Sequence, residues 1–173
     1  NDINAELISF YRCIKYHADE VWRELDNTLW GRQEFQDYLA QPGLTDIQRA
    51  ARWFVRNAVS FGGMGENFGT TKVHPTASKT TRMESIKQVS LRLDRVCIEN
   101  LPWEQVLQKY DAPETLFFLD PPYFDAGGDG YDAITDLEFY RLVSSVKALK
   151  GQWLFTFQDH PIVREAFSDC HIM

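Results

Sequence analysis

The stretch LFFLDPPYF, residues 116–124, runs four apolar residues into a lone aspartate, two prolines and two aromatic residues. A short apolar run bounded by a polar residue and prolines reads as a buried strand. Asp120 closes that strand. In open α/β sheets ligands gather at the carboxyl ends of strands, so a carboxylate at this point faces a ligand crevice. Pro121 and Pro122 fix their own φ angles and carry no N–H, but keep their carbonyls as acceptors. Asp120 and the Pro121 carbonyl thus make two fixed acceptors, with the flat face of Tyr123 beside them. Such a set matches a planar group bearing an NH₂, for example a nucleobase. The same residues also suit a plain turn in which Asp120 caps the next element and Tyr123 packs; their position after LFFL favours a ligand.

On either side of this stretch the chain alternates between helix and strand patterns. Downstream, TDLE (135–138) matches a capping box that heads a helix to about residue 149. QWLFTF (152–157) predicts a second strand and DHPIVREAF (159–167) a last helix. Just upstream, PWEQVLQKY (102–110) predicts a short helix with proline at its first turn. Before it, residues 96–98 predict a short strand. Further upstream the pattern is helical. Leu7, Ile8, Tyr11 and Ile14 recur at helical spacing in a run to about residue 25. Phe35, Tyr38 and Leu39 mark a second amphipathic piece that QPG (41–43) ends. TDIQ (45–48) fits another capping box, for a helix to about residue 59. A glycine- and hydroxyl-rich loop (60–81) and a helical or mixed run (83–96) follow. Alternation of this kind predicts an α/β protein with a mainly parallel sheet, interrupted by an inserted, mostly helical block.

The chain has 173 residues, 44% hydrophobic and 14% aromatic, which is enough for a packed core and excludes a disordered chain. No run approaches the ~20 apolar residues of a membrane span. Three scattered cysteines, Cys13, Cys97 and Cys170, lack metal-ligand spacing and read as free thiols of a reducing compartment. The net charge is −7, yet residues 45–95 carry nine Lys/Arg against four Asp/Glu. A basic middle in an acidic body is a local footprint for phosphates, or a solvated helix face. The chain starts at Asn1 without a methionine and is expected to be an internal piece of a longer protein.

LFFLDPPYF resembles the catalytic motif of the amino-group DNA methyltransferases, and the arrangement around it is similar to the Dam-like, alpha-group adenine enzymes. Three other segments carry the resemblance. NDIN with the following LISFYR helix resembles the acidic second-strand end whose Asp binds the cofactor ribose. VCIENLPWEQVL resembles the third-strand segment that borders the cofactor adenine. KGQWLFTFQDHPIVREAF resembles the late strand that walls the flipped-base pocket. The family's glycine-rich cofactor loop is expected upstream of NDIN; GGMGENFG (62–69) does not have its spacing or context. Pro102 stands roughly where many relatives carry an acid, and no GATC target is implied.

The resemblance implies a Rossmann-like, S-adenosylmethionine-dependent fold. Residues 1–26 would form a cofactor-side part, 27–88 a helical target-recognition insert and 89–173 the catalytic part. It implies methyl transfer from S-adenosyl-L-methionine to the 6-amino group of an adenine flipped out of double-stranded DNA. Asp120, Pro121, Pro122 and Tyr123 would be catalytic. Asp2, Ile3, Glu99, Asn100, Leu101 and Asp120 would border the cofactor. Arg49, Arg52, Arg56, Asn57 and Lys72 would contact DNA. Phe124 and Phe157 are pocket-wall or core residues, and His160 is read as a helix-start residue rather than a base. A monomer or dimer in the cytoplasm of a bacterial or phage-infected cell, with no metal and no membrane partner, is expected. The alternatives are a catalytically incomplete DNA- or nucleotide-binding module of the same fold, or an amino-methyltransferase for cytosine, RNA or protein.

Overall fold

A computed structural model describes residues 1–69, 78–125 and 133–173. The chain forms two compact units, Asn1–Pro102 and Trp103–Met173.

The first unit is helical. α1 (Ala5–Asp26) starts at Asn4, whose side chain accepts the N–H groups of Glu6 and Leu7 and so satisfies two donors that a helix start leaves unpaired. α2 spans Arg32–Ala40. α3 (Asp46–Val59) is capped by Thr45, which accepts the N–H of Gln48 at 3.2 Å. The expected capping box is only half formed here, because the Gln48 side chain turns to the N–H of Leu44 (3.2 Å) instead of Thr45. α4 (Lys79–Leu93) begins earlier than the sequence pattern indicated, since the Ser78 side chain provides its cap. α1 packs against α3 and α4, and α2 against α3. Their shared core contains Phe10, Ile14, Val21 and Leu25 of α1, Phe35 of α2, Val55 and Val59 of α3, and Ile86 of α4. Each such fully buried aliphatic or aromatic side chain contributes about 1.5–3 kcal/mol.

Between α3 and α4, the described part of the glycine loop is a tight reversal. Phe61–Gly63 forms a 3₁₀ turn, and Ser60 bridges Phe68 in antiparallel fashion. Gly65 turns the chain at φ 71°, where a side chain would be strained. Its N–H donates to Ser60 Oγ at 2.7 Å.

Residues 96–98, expected to be a strand, are irregular. Among the described residues no strand pairs with them. Side chains of α1 take up their carbonyls instead: Lys15 Nζ donates to Val96 at 2.7 Å and Arg12 to Ile98 at 3.3 Å.

The second unit is a small parallel sheet with helices. α5 (Trp103–Tyr110) leads to β1 (Leu116–Leu119); α6 (Asp136–Lys147) follows, then β2 (Gln152–Phe155) and α7 (Pro161–Ala166). β1 and β2 pair in parallel, with Leu116 opposite Gln152 and Leu119 opposite Phe155. The TDLE capping box is complete: Thr135 and Glu138 satisfy each other's backbone N–H groups. Gly151 is required at the start of β2, because a Cβ there would lie 2.6 Å from the Thr115 carbonyl. The core packs on one face of the sheet. Phe117 meets Leu107, Leu142 and Val146, and a second cluster gathers Phe139, Val143 and Phe167. The strand LFFL is therefore not buried on both faces as expected. Its side chains alternate, and Leu116 and Phe118 are 67% and 68% exposed on the face away from α5 and α6.

Candidate active site

Asp120 directly follows β1 and is exposed at its carboxyl end. Thr156 stands at the same end of β2. The Thr156 N–H extends the ladder to the Leu119 carbonyl (2.9 Å), and its hydroxyl lies 2.6 Å from Asp120 Oδ1. The carboxylate is thus held at the tip of the neighbouring strand. Sequence reasoning missed Thr156. It lies inside the predicted strand 152–157, and only the observed end of β2 at Phe155 places it level with Asp120.

Pro121 and Pro122 are half-buried. Tyr123 is 36% exposed, and its ring sits 5.1 Å from Phe157. Phe124 points into the core, in edge contact with Phe139 and Phe157. Phe157 therefore bridges the exposed ring of Tyr123 and the fully buried Phe139 (5.2 Å). A chain of aromatic contacts, each worth roughly 0.5–1.5 kcal/mol beyond burial, anchors the Tyr123 ring on Phe157 and Phe139. His160 caps α7, its Nδ1 accepting the Ile162 N–H at 3.3 Å. Asp159 is gripped by Arg164, which donates to both carboxylate oxygens and holds the carboxyl below its usual pKa.

In the helical unit, the segments 1–3 and 99–101 are bound together. Asn100 Nδ2 donates to the carbonyls of Asp2 (2.8 Å) and Ile3 (3.1 Å). The Asp2 N–H donates to the Glu99 carbonyl at 3.3 Å. Asn1 and Leu101 exchange two bonds of 3.0 Å between the Asn1 side chain and the Leu101 backbone. The Asp2 carboxylate accepts the Asn4 N–H at 2.7 Å, while Asn4 itself caps α1. Ile3 is exposed. Asn100 and Arg49 also line one groove of about 570 Å³, with Ser9, Arg12, Tyr16 and Asp46.

Arg49, Arg52 and Arg56 lie on one side of α3, each with a partner inside the protein. Arg49 pairs with Asp46. Arg52 donates to the Gln41 carbonyl (2.9 Å) and covers the Tyr38 ring at 5.0 Å. Arg56 reaches the Gly65 carbonyl with Nε and Nη2, at 3.3 and 3.1 Å. Asn57 donates to the Trp53 carbonyl at 2.8 Å. Lys72 lies outside the described residues.

The thiols of Cys13 and Cys170 are pushed above their usual pKa, mainly by burial. Among the described residues no group of His, Cys, Asp and Glu is placed to hold a metal ion, and no helix is long and apolar enough to cross a membrane.

The second unit thus presents, at the carboxyl end of a parallel strand, an exposed carboxylate followed by two prolines and a ring packed on Phe157. A family model described as D12 class N6 adenine-specific DNA methyltransferase matches residues 1–172, and the chain belongs to that family. It is an adenine-specific DNA methyltransferase, and the family implies S-adenosylmethionine as methyl donor. No curated protein matches the chain.

Proposed function

We propose that Asp120 and the Pro121 carbonyl accept the two N–H bonds of the target adenine's 6-amino group. The observation that carries this reading is the position of Asp120, exposed at the carboxyl end of β1 and tied to the end of β2. The free amine is a poor nucleophile, because its lone pair is delocalised into the ring. Two acceptors in fixed positions favour a tetrahedral nitrogen and stabilise the positive charge that develops on it. Pro122 stiffens the turn. Tyr123 offers a stacking face, worth roughly 1–3 kcal/mol per base, against the few kcal/mol that extrusion of a base from the duplex costs. Water suffices to remove the proton once the nitrogen is alkylated.

The helical unit would hold S-adenosylmethionine through residues 1–3 and 99–101. The donor set fits: the Asp2 carboxylate has the chemistry a ribose diol requires, and Glu99, Asn100 and Leu101 offer polar backbone and an apolar side chain for an adenine edge. When bound, the cofactor supplies an electrophilic methyl group. Residues 27–88 would recognise the DNA, with Arg49, Arg52, Asn57 and Lys72 as its contacts and Arg56 holding the loop beside them. The sheet with its helices is taken as the catalytic part of a Rossmann-like methyltransferase fold, acting on DNA in the cytoplasm.

Asp120→Ala tests the reading. Methyl transfer to an adenine-containing duplex should fall by about 10²–10³, the usual cost of one preorganised group, with DNA and cofactor binding retained. Transfer at the wild-type rate would refute it.

A further inference from the structure

We propose that Thr156 is the positioning residue that aims the Asp120 carboxylate at the substrate amine. The inference rests on the reading of Asp120 given above and adds a residue to it.

An aspartate in a turn is ordinarily oriented by backbone N–H groups that follow it, most often two residues on. Here the next two residues are Pro121 and Pro122, and neither has an N–H. The motif that fixes the carbonyl acceptor thereby removes the local donors that would fix the carboxylate. Asp120 is exposed, so core packing does not lock its rotamer either. The orienting donor that the structure shows comes from another element. Among the described residues Thr156 is that donor, 36 residues away, at 2.6 Å. This length is in the range of a charge-assisted O–H···O⁻ bond.

The hydroxyl proton has two acceptors within reach. The Leu119 carbonyl is the other, at 3.2 Å. That carbonyl already takes the Thr156 N–H at 2.9 Å, so the sheet does not need the hydroxyl. The shorter contact and the charged acceptor both direct the proton to Asp120 Oδ1. With Oδ1 occupied, Oδ2 is left to accept from the amine. The parallel register places residues 119 and 155 opposite each other, and so puts 120 and 156 side by side at the tips. Strand pairing, not loop conformation, sets the direction of the catalytic acceptor. The β-branched side chain is restricted at χ1, which limits the directions the hydroxyl can take.

The test compares Thr156→Val, which keeps the shape and removes the hydroxyl, with Thr156→Ser, which keeps the hydroxyl. Both are made in the enzyme and assayed by single-turnover methylation of duplex DNA. Dissociation constants for DNA and S-adenosylmethionine and the melting temperature are measured in parallel. Thr156→Val should slow methyl transfer by about 10- to 100-fold, the scale of a small misplacement of a reacting group, with binding and melting unchanged. Thr156→Ser should restore most of the lost rate. On an Asp120→Ala background, Thr156→Val should cost nothing further, because the two residues act as a unit. Wild-type rate in Thr156→Val with a slow Asp120→Ala overturns this inference alone. So does an equal loss in Val and Ser, additive loss in the double variant, or a loss that follows melting or binding. Wild-type rate in Asp120→Ala overturns the reading of Asp120 and this inference with it.

Discussion

Asn100 Nδ2 lies 2.8 Å from the carbonyl of Asp2, although 98 residues separate them. The side-chain amide also reaches the Ile3 carbonyl, so one residue clamps the segment that leads into α1. Asn100→Ala removes both bonds and leaves two carbonyls to water. Affinity for S-adenosylmethionine should fall by about 5- to 30-fold, as loss of one or two net hydrogen bonds of about 1 kcal/mol each requires. Calorimetric titration checks this, and unaltered affinity would separate the clamp from cofactor binding.

Tyr123 packs on Phe157 at 5.1 Å and stays 36% exposed. Tyr123→Ala should weaken binding of a duplex with an extruded target base by about 1–3 kcal/mol. Tyr123→Phe should keep most of the affinity, since the ring does the stacking. A fluorescent adenine analogue at the target position reports extrusion directly. Equal losses in both variants would assign the role to the hydroxyl.

Arg56 spends its guanidinium on the Gly65 carbonyl, at the turn where Gly65 adopts φ 71°. It should act on DNA by holding the loop, not by neutralising a phosphate. Arg56→Ala is expected to weaken DNA binding while the slope of log K against log salt stays constant. An arginine that contacts phosphate would reduce that slope by about 0.9. Arg49, exposed and paired with Asp46, is the comparison.

Asp159 is stabilised as a carboxylate by its hydrogen bonds from Arg164, so its folded pKa lies below the unfolded one. A depressed carboxyl contributes stability that is present above the unfolded value, about 3.9. That contribution is lost as pH falls through the lower folded value. The pair is exposed, so the effect is small and screened by salt. Melting temperature should drop as pH falls below about 4, and less steeply in Asp159→Asn. Identical acid slopes in the two proteins would contradict the assignment.

Cys13 is buried in the helical core, and burial raises its thiol pKa; Cys97 is exposed. A thiol reagent at neutral pH should label Cys97 promptly and Cys13 only on unfolding, since the thiolate is the reacting form. Peptide mapping after a timed pulse distinguishes the two.

The helices were legible because their signals are local. Thr45 and Thr135 caps, the apolar spacing of α1 and the two apolar runs at 116 and 152 depend on neighbours within about four residues. The strand expected at residues 96–98 failed for the opposite reason. A strand needs a partner, and the sequence pattern does not say that Lys15 and Arg12 will take those carbonyls. The same holds for LFFL, whose composition is apolar throughout while packing covers only the face toward α5 and α6.

By itself, the sequence determined the family and the two prolines that stiffen the turn after Asp120, because proline geometry and short motifs travel with the chain. Tertiary structure alone decided which hydroxyl meets Asp120, that residues 1–3 lie against 99–101, and that Arg56 serves a loop. Those pairings join residues from 9 to about 100 positions apart. They depend on strand register and helix packing, which no local pattern of residues encodes.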